Sequence, residues 1–310
     1  MGELKNEFTW STKRGGVFDE CRRKYWFEYY GFWGGWNPRS EDRTRSIYVL
    51  KQLKGRQAWA GEHVHQSAAD ALQLIHAGLL VNPDELDQEI VQRMRDDFRE
   101  SREKEYWTRP KKACGLLEHE FDIPVTDAEW AATTDHARAC LRNFFASPIL
   151  AELRALDRSN WLQVEEMDQF RIDGVPIWVK MDLAYRAADG RLRIVDWKTG
   201  RLDPHPDPIQ LTCYAIYASA KWNVPPERIE TVHVNLGGNE STVRQVDAAL
   251  IGSVRGRIQE SIAGMAKLLE GRIADNAPLP ESAFTPTDST SACRRCQFRR
   301  VCPDSPLHRL

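Results

Sequence analysis

A change of sequence pattern near Trp161 most constrains how this chain can fold. From that point strand-like residues fill three stretches, at about residues 163–171, 175–186 and 192–197. The dipeptides Asp173-Gly174 and Asp189-Gly190 separate them, and Asp-Gly between strand-like runs is a strong hairpin signal. We therefore predict a meander of strands in this part of the chain.

Helical periodicity surrounds this meander. Apolar residues at helical spacing predict helices over about residues 18–30, 44–80, 83–106 and 127–156, the last of them ending near Ser147-Pro148 or beyond. After the meander we predict a helix over residues 208–222, strands over 229–236 and 242–246, and a helix over 248–271. This order favours an α/β (α+β) fold with a small mixed central β-sheet flanked by helices.

Composition narrows the class of protein. A chain of 310 residues with 42% hydrophobic and 28% charged residues can bury a core and is not typical of disorder. No apolar run approaches the roughly 20 residues that cross a bilayer, and residues 1–10 lack the apolar stretch of a secretory signal, so we expect a cytoplasmic protein.

The net charge of −2 argues mildly against nucleic-acid binding, but such binding needs only a local basic patch. The basic clusters, each either a solvated face or a phosphate contact, are Arg22-Arg23-Lys24, Lys111-Lys112, Arg294-Arg295 and Arg299-Arg300.

The stretch of residues 192–200 begins as a buried strand and ends in charged residues. Asp196 and Lys198 point to the same face because strand side chains alternate. Asp182 ends the preceding strand-like run, which should pair with this one across the Asp189-Gly190 turn. Carboxylates can hold Mg²⁺ or Mn²⁺, and a lysine can orient the water that attacks a phosphodiester. Taken alone, the Asp-x-Lys pattern favours a surface ion pair, and only its accompanying motifs favour a catalytic site.

Two helical motifs accompany these residues. Gln210 and Tyr214 are spaced i and i+4, so they share one face of a helix. Gly61 to His65 lies inside a predicted helix and offers an imidazole as a further metal ligand, with His63 as a competitor for that role.

Together these residues resemble the RecB-type branch of the PD-(D/E)XK nuclease superfamily. That branch carries Gly-x-x-x-His on a helix, Asp on one strand, Asp-x-Lys on the next strand and Gln-x-x-x-Tyr on the following helix. The matching segments here are Gly61 to His65, Asp182, Asp196 to Lys198, and Gln210 to Tyr214. The resemblance implies a PD-(D/E)XK core that hydrolyses DNA.

The resemblance also implies a role for each matching residue. The metal ligands would be His65, Asp182 and Asp196, together with the carbonyl of Trp197. Lys198 would be the catalytic lysine, and Gln210 and Tyr214 would support the site and contact DNA.

A glutamate at the start of the meander often completes the family's site. Glu165 and Glu166 both qualify, and we select Glu166. Lys180 stands where the family usually carries a glycine.

The cysteines form a second pattern. Cys293, Cys296 and Cys302 make a C-x2-C-x5-C cluster, one thiolate short of the usual four for Zn²⁺ or an iron–sulfur cluster, and Cys21 can supply the fourth. The set resembles AddB-like and CRISPR-adaptation nucleases, in which one cysteine before the nuclease core and three after it hold a 4Fe-4S cluster. The resemblance implies such a cluster here, with Zn²⁺ as the alternative. The remaining cysteines, expected in helices and inert, are Cys114, Cys140 and Cys213.

The resemblance extends to organisation and partners. It implies a mainly helical part over residues 1–160, a nuclease core over 161–275, and a cysteine tail over 276–310 that forms one unit with residues 1–40. It also implies exonuclease action on single-stranded DNA or DNA ends, in repair, recombination or CRISPR adaptation. The absence of a Gly-Lys dipeptide excludes an ATPase phosphate loop, so a helicase partner would be a separate chain. Two rivals remain open, an inactive nuclease-fold scaffold subunit that binds DNA and a zinc-stapled DNA-binding module.

Overall fold

The structure, a computed structural model, describes residues 5–200 and 207–306. Its α-helices are α1 (Thr12–Glu20), α2 (Arg22–Trp26), α3 (Asp42–Leu50), α4 (Arg56–Ala77), α5 (Pro83–Arg102), α6 (Leu117–Glu120), α7 (Asp127–Phe145), α8 (Pro148–Ala155), α9 (Ile209–Trp222), α10 (Ala248–Ala266) and α11 (Thr290–Arg295). Its strands are β1 (Trp161–Val164), β2 (Met167–Ile172), β3 (Val175–Lys180), β4 (Leu183–Arg186), β5 (Leu192–Lys198), β6 (Ile229–Asn235), β7 (Glu240–Gln245), β8 (Leu269–Glu270) and β9 (Ala277–Pro278).

A mixed five-stranded sheet lies at the centre, in the order β1-β4-β5-β6-β7. Strands β5 and β6 are parallel, and α9 makes the crossover between them, whereas the other neighbours pair antiparallel. The expected small mixed sheet flanked by helices is therefore confirmed. Strands β2 and β3 form a separate hairpin, and β8 pairs with β9.

The predicted strand over residues 175–186 is wrong in one respect. The chain leaves the β2–β3 hairpin after Lys180 and enters the central sheet only at Leu183, so the expected meander is divided between two sheets. Met181 and Asp182 make this transition. Residues 177–186 are strand-like and contain no Gly or Pro to mark the change of sheet.

Two of the predicted helices are likewise divided, and the helix over residues 127–156 ends at Phe145, near the predicted break at Ser147-Pro148, with α8 following it. Cys21 ends α1 and caps α2, where its Sγ accepts a hydrogen bond from the Lys24 amide at 3.4 Å. Residues 51–55 separate α3 from α4. Ser147 caps α8, and Pro148 occupies its first turn, where a missing amide hydrogen is tolerated. Each division falls at a residue that caps or begins a helix.

The core forms on both faces of the sheet because β5 is buried on both. Ile194 packs in the cluster that contains side chains of α9 and α10. Val195 and Trp197 point the other way, into the cluster formed with α4, α5 and α7. Alternation along the strand then assigns Asp196 to the α9 side, together with Ile194.

The two ends of the described chain lie together. The Arg23 guanidinium donates to the Phe284 carbonyl at 2.9 Å and pairs with Asp304 at 2.6 Å. Tyr30 donates to Asn276 at 3.1 Å. Arg23 is 6% exposed, so this member of the basic cluster serves the fold and is not open to phosphate.

Among the described helices, none has the length and apolarity that crossing a membrane would require.

Candidate active site

Asp196 and Lys198 lie at the C-terminal end of β5. Asp196 is 2% exposed, and the Lys198 ammonium lies 3.0 Å from its Oδ1 and 2.9 Å from its Oδ2. Because the Lys198 side chain remains 41% exposed, this pair spans the boundary between the core and the surface. A substrate in the cleft could therefore reach the ammonium while the carboxylate stays fixed.

Asp182 lies beside Asp196 because it directly precedes the Leu183–Val195 pair of the β4–β5 ladder. Its Oδ2 accepts a hydrogen bond from the Trp197 amide at 2.7 Å. Oδ1 instead faces His65, whose Nδ1 lies 3.5 Å away. The backbone of β5 therefore fixes the orientation of this carboxylate and leaves one oxygen toward the cleft.

His65 of α4 completes a group of potential metal ligands. Ligand atoms of His65, Glu165 and Asp182 all lie within 4.8 Å of one another. Burial alone would lower the pKa of His65, but hydrogen bonding with Asp182 and Glu165 outweighs it and raises the pKa to about 10. The two carboxylates therefore favour positive charge at the position of His65, which is also what a metal ion would supply. His63, the competing histidine, instead contacts Asp97 at 3.0 Å, away from this group.

The choice of Glu166 over Glu165 is corrected by the geometry. Glu165 sits in the β1–β2 turn with a φ of 52°, and its amide donates to the carbonyls of Met181 and Asp182. This left-handed conformation turns the Glu165 side chain into the cleft, where Lys180 holds it at 2.5 Å. The Glu166 side chain is exposed.

Lys180 therefore has a partner in the site, although the family pattern places a glycine there. Burial alone would raise the pKa of Glu165, but His65 and Lys180 together hold it below its ordinary value. Glu165 thus remains a carboxylate at neutral pH.

Two further residues, which the sequence did not suggest, hold α4 and α7 against the end of β5. A Cβ added to Gly61 would lie 2.9 Å from the Thr199 Oγ1. The His136 Nε2 lies 2.6 Å from the Thr199 carbonyl. The glycine one turn before His65 is thus a close-approach position. That glycine was the sequence signal, whereas Thr199 and His136 follow no motif.

Helix α9 contacts both the Asp196 carboxylate and the Lys198 ammonium through one side chain. The Gln210 amide nitrogen donates to the Asp196 Oδ1 at 3.1 Å, and its oxygen accepts from Lys198 at 3.2 Å. The same amide nitrogen lies 3.1 Å from the Tyr214 hydroxyl. The structure therefore brings both residues of the Gln-x-x-x-Tyr motif to the site.

Electrostatics distinguish the two aspartates. Burial, reinforced by the neighbouring Asp182, raises the pKa of Asp196, and Lys198 opposes this effect. Asp196 lies beside the three-residue group around His65, and its Oδ1 contacts Lys198 and Gln210. Two carboxylates this close repel each other, so a cation between them would be stabilising.

A second set of side chains surrounds a cavity between the chain ends. Cys21, Cys293, Cys296 and Cys302 all line it, beside Lys24 and Phe27. Burial raises the pKa of the Cys296 thiol to about 12. Of the cysteines expected in helices, Cys140 and Cys213 are buried in α7 and α9. Cys114 is placed wrongly by that prediction, since it lies in the loop after α5.

A family model described as the PD-(D/E)XK nuclease superfamily matches residues 9–303. The chain belongs to the PD-(D/E)XK nuclease superfamily. The match spans the carboxylates, the lysine, the helix-borne histidine and all four cavity cysteines.

Other comparisons are weaker than this superfamily match. Among solved structures, the chain is similar to one titled "Crystal structure of SSO0001", at 12% identity with a TM-score of 0.29, and the alignment covers 61% of this chain and 92% of that chain. No curated protein sequence matches.

Members of the PD-(D/E)XK superfamily are typically metal-dependent nucleases. In this member, the donor set around the cleft is one imidazole and carboxylate oxygens, which suits a hard divalent cation.

Proposed function

We propose that this chain is a Mg²⁺- or Mn²⁺-dependent deoxyribonuclease. One observation carries the proposal: His65, Glu165 and Asp182 form a ligand group directly beside the buried Asp196 and its lysine. Such a bound cation would polarise the phosphodiester and lower the pKa of attacking water. The ligands would be His65, Asp182 and Asp196 with the Trp197 carbonyl, and Glu165 would join them in place of Glu166.

The chain's own residues supply the rest of the chemistry. Lys198 is held by Asp196 and Gln210, so its ammonium is already directed toward the cleft when the substrate arrives. There it orients the attacking water and stabilises the negative charge that develops on the phosphate. His65 gives up its proton to act as a ligand. Gln210 holds the lysine, Tyr214 contacts Gln210, and both would line the path of the DNA.

The nuclease proposal is tested with labelled DNA, Mn²⁺ and two lysine variants. Lys198→Ala should abolish cleavage, by at least about a hundredfold, because one preorganised charge is lost from the transition state. Lys221→Ala is a matched control, since Lys221 is a 37% exposed lysine of α9 that pairs with Asp168. Folded wild-type protein that cleaves no DNA with any divalent metal would instead favour the inactive scaffold subunit.

We further propose exonuclease action on single-stranded DNA or DNA ends, in repair, recombination or CRISPR adaptation. The RecB-type order of motifs supports this assignment. Where ATP-driven strand unwinding accompanies cleavage, a separate helicase chain would carry it out. Parallel digests of 5′- and 3′-labelled single- and double-stranded DNA give the polarity. Cleavage of a closed circular substrate would contradict an exonuclease.

We also propose that the four cavity cysteines hold a 4Fe-4S cluster. The shared cavity supports this proposal, because Cys21, Cys293, Cys296 and Cys302 all line it. The resemblance to nucleases with one cysteine before the core and three after it supports an iron–sulfur cluster over Zn²⁺.

The cluster is tested on protein purified without oxygen. A brown protein with broad absorbance near about 400 nm, lost in Cys296→Ser, is the expected result. Cys213→Ser is the control, because Cys213 is buried in α9 away from the cavity. A colourless protein with stoichiometric zinc would support the zinc-stapled module instead.

A further inference from the structure

The β2–β3 hairpin presents an indole to solvent next to the active site. Along β3, Ile177 and Val179 are buried, whereas Trp178 is 39% exposed. Lys180 shares its face, because residues i and i+2 of a strand point the same way. Across the hairpin, Met167 pairs with Lys180, and Met167 is 60% exposed. An aromatic ring, a thioether and an ammonium therefore form one surface.

This surface is one wall of a groove that runs into the active site. The groove is lined by Lys13, Met167, Trp178 and Lys180, and it continues to Gln210 and Tyr214. No carboxylate lies among its described lining residues. The groove thus combines apolar surface with the ammonium groups of Lys13 and Lys180, of which Lys180 also pairs with Glu165 at the active-site end. This combination suits an anionic chain with flat apolar rings.

The backbone around Trp178 is fixed by two hydrogen bonds with Trp10. The Trp178 amide donates to the Trp10 carbonyl at 2.8 Å, and the Trp10 amide donates to the Pro176 carbonyl at 2.9 Å. Trp10 itself is buried, and its indole donates to Ser261 at 3.1 Å. Because the hairpin is anchored to the core in this way, the exposed ring has a fixed base and loses little freedom on contact with a ligand.

The groove leads from the indole to the group of potential metal ligands. Trp178 and Lys180 lie two residues apart along β3, which spans about 6.6 Å between their Cα atoms. The Lys180 ammonium contacts Glu165 at 2.5 Å. A DNA strand that follows the groove to Glu165 would therefore pass the indole.

We propose that Trp178 stacks on an unpaired base of single-stranded DNA while Lys13 and Lys180 contact its phosphates, and that this contact gives the enzyme a preference for single strands. The proposal rests on the proposed nuclease function. An unpaired base offers its face to an aromatic ring, whereas bases inside a duplex have both faces covered by their neighbours. Trp178 is thus a specificity-determining residue, distinct from the groups that touch the reacting phosphate.

The test compares binding and cleavage across matched variants. Fluorescence anisotropy with labelled oligothymidylate and with a labelled duplex, in Ca²⁺, measures binding, and Mn²⁺ digests of the same oligonucleotides measure cleavage. Trp178→Ala should weaken oligothymidylate binding by on the order of tenfold and leave duplex binding within about twofold. Trp178→Phe should retain most of the affinity. Trp36→Ala is the control, since Trp36 is 37% exposed and lies outside the groove.

The outcomes separate this proposal from the nuclease proposal. The stacking proposal is overturned if folded Trp178→Ala loses equal affinity for oligothymidylate and for duplex, or loses none. Cleavage by the wild type would still leave the nuclease proposal intact. If the wild type cleaves nothing, the nuclease proposal fails, and the anisotropy data still decide whether Trp178 selects single strands. Thermal melting of each variant establishes that it is folded.

Discussion

At the scale of single residues, the site depends on one unusual backbone conformation. Glu165 and Glu166 are chemically identical, and the sequence cannot tell which one faces the metal ligands. The left-handed φ of 52° at Glu165 decides it, because this conformation departs from simple strand alternation. By contrast, Asp196 and Lys198 were predictable, since both stand on a regular strand with its ordinary alternation.

The two glutamates give a direct prediction. Glu165→Gln should weaken Mn²⁺ binding by about 10- to 100-fold, because it removes a carboxylate from the ligand group. Glu166→Gln, one residue away and exposed, should bind Mn²⁺ like the wild type. Isothermal titration calorimetry measures both. Equal affinity in the two variants would mean that Glu165 does not contribute to the metal site.

At the scale of elements, sequence periodicity located most helices and strands but not their junctions. The helix over residues 208–222 and the strand over 229–236 were predicted almost to the residue, because each has a continuous apolar pattern between clear breaks. The predicted strand over 175–186 should have been divided in two. The prediction missed this division because only tertiary strand pairing makes the chain change sheets at Met181-Asp182. Asp182 was therefore predicted with the wrong strand pairing, and it lies at the transition between the two sheets.

The contact between α4 and the end of β5 gives a prediction at this scale. In a Thr199→Ala background, Gly61→Ala should stabilise the protein by about 1 kcal/mol, because alanine favours a helix over glycine. With Thr199 present, the new Cβ meets its Oγ1, and the gain should fall by at least about 0.5 kcal/mol. Urea denaturation of the four proteins measures this coupling. Additive effects would show that the close approach has no energetic consequence.

At the scale of the whole molecule, contacts of the Arg23 side chain join the two ends of the described chain, and they do not require an iron–sulfur cluster. Arg23 contacts the Phe284 carbonyl, Glu281 and Asp304, and it is nearly fully buried. The sequence indicated that these ends meet only through the cysteine pattern. The ion pairs could not be predicted, because they connect residues more than 250 positions apart and follow no periodicity.

The Arg23 contacts predict a global effect on stability. Arg23→Ala should lower the free energy of unfolding by about 2–3 kcal/mol, because it leaves the buried Phe284 carbonyl without its donor and removes the ion pairs with Glu281 and Asp304. Arg22→Ala is the neighbouring control: Arg22 is exposed and only covers the Phe18 ring, so its loss should cost under about 1 kcal/mol. Denaturant unfolding compares them, and similar losses would contradict a structural role for Arg23.

The measurement that tests the metal-dependent nuclease centre most directly is a Mn²⁺ titration of wild-type and Asp196→Asn protein, with DNA cleavage and thermal unfolding recorded together. The wild type should gain about 2.7 kcal/mol at a hundredfold excess over Kd, and its cleavage should rise along the same curve. Asp196→Asn should remain folded and lose both responses. Cleavage that persists in Asp196→Asn, or in wild-type protein stripped of metal, would contradict a metal-dependent nuclease centre that includes Asp196.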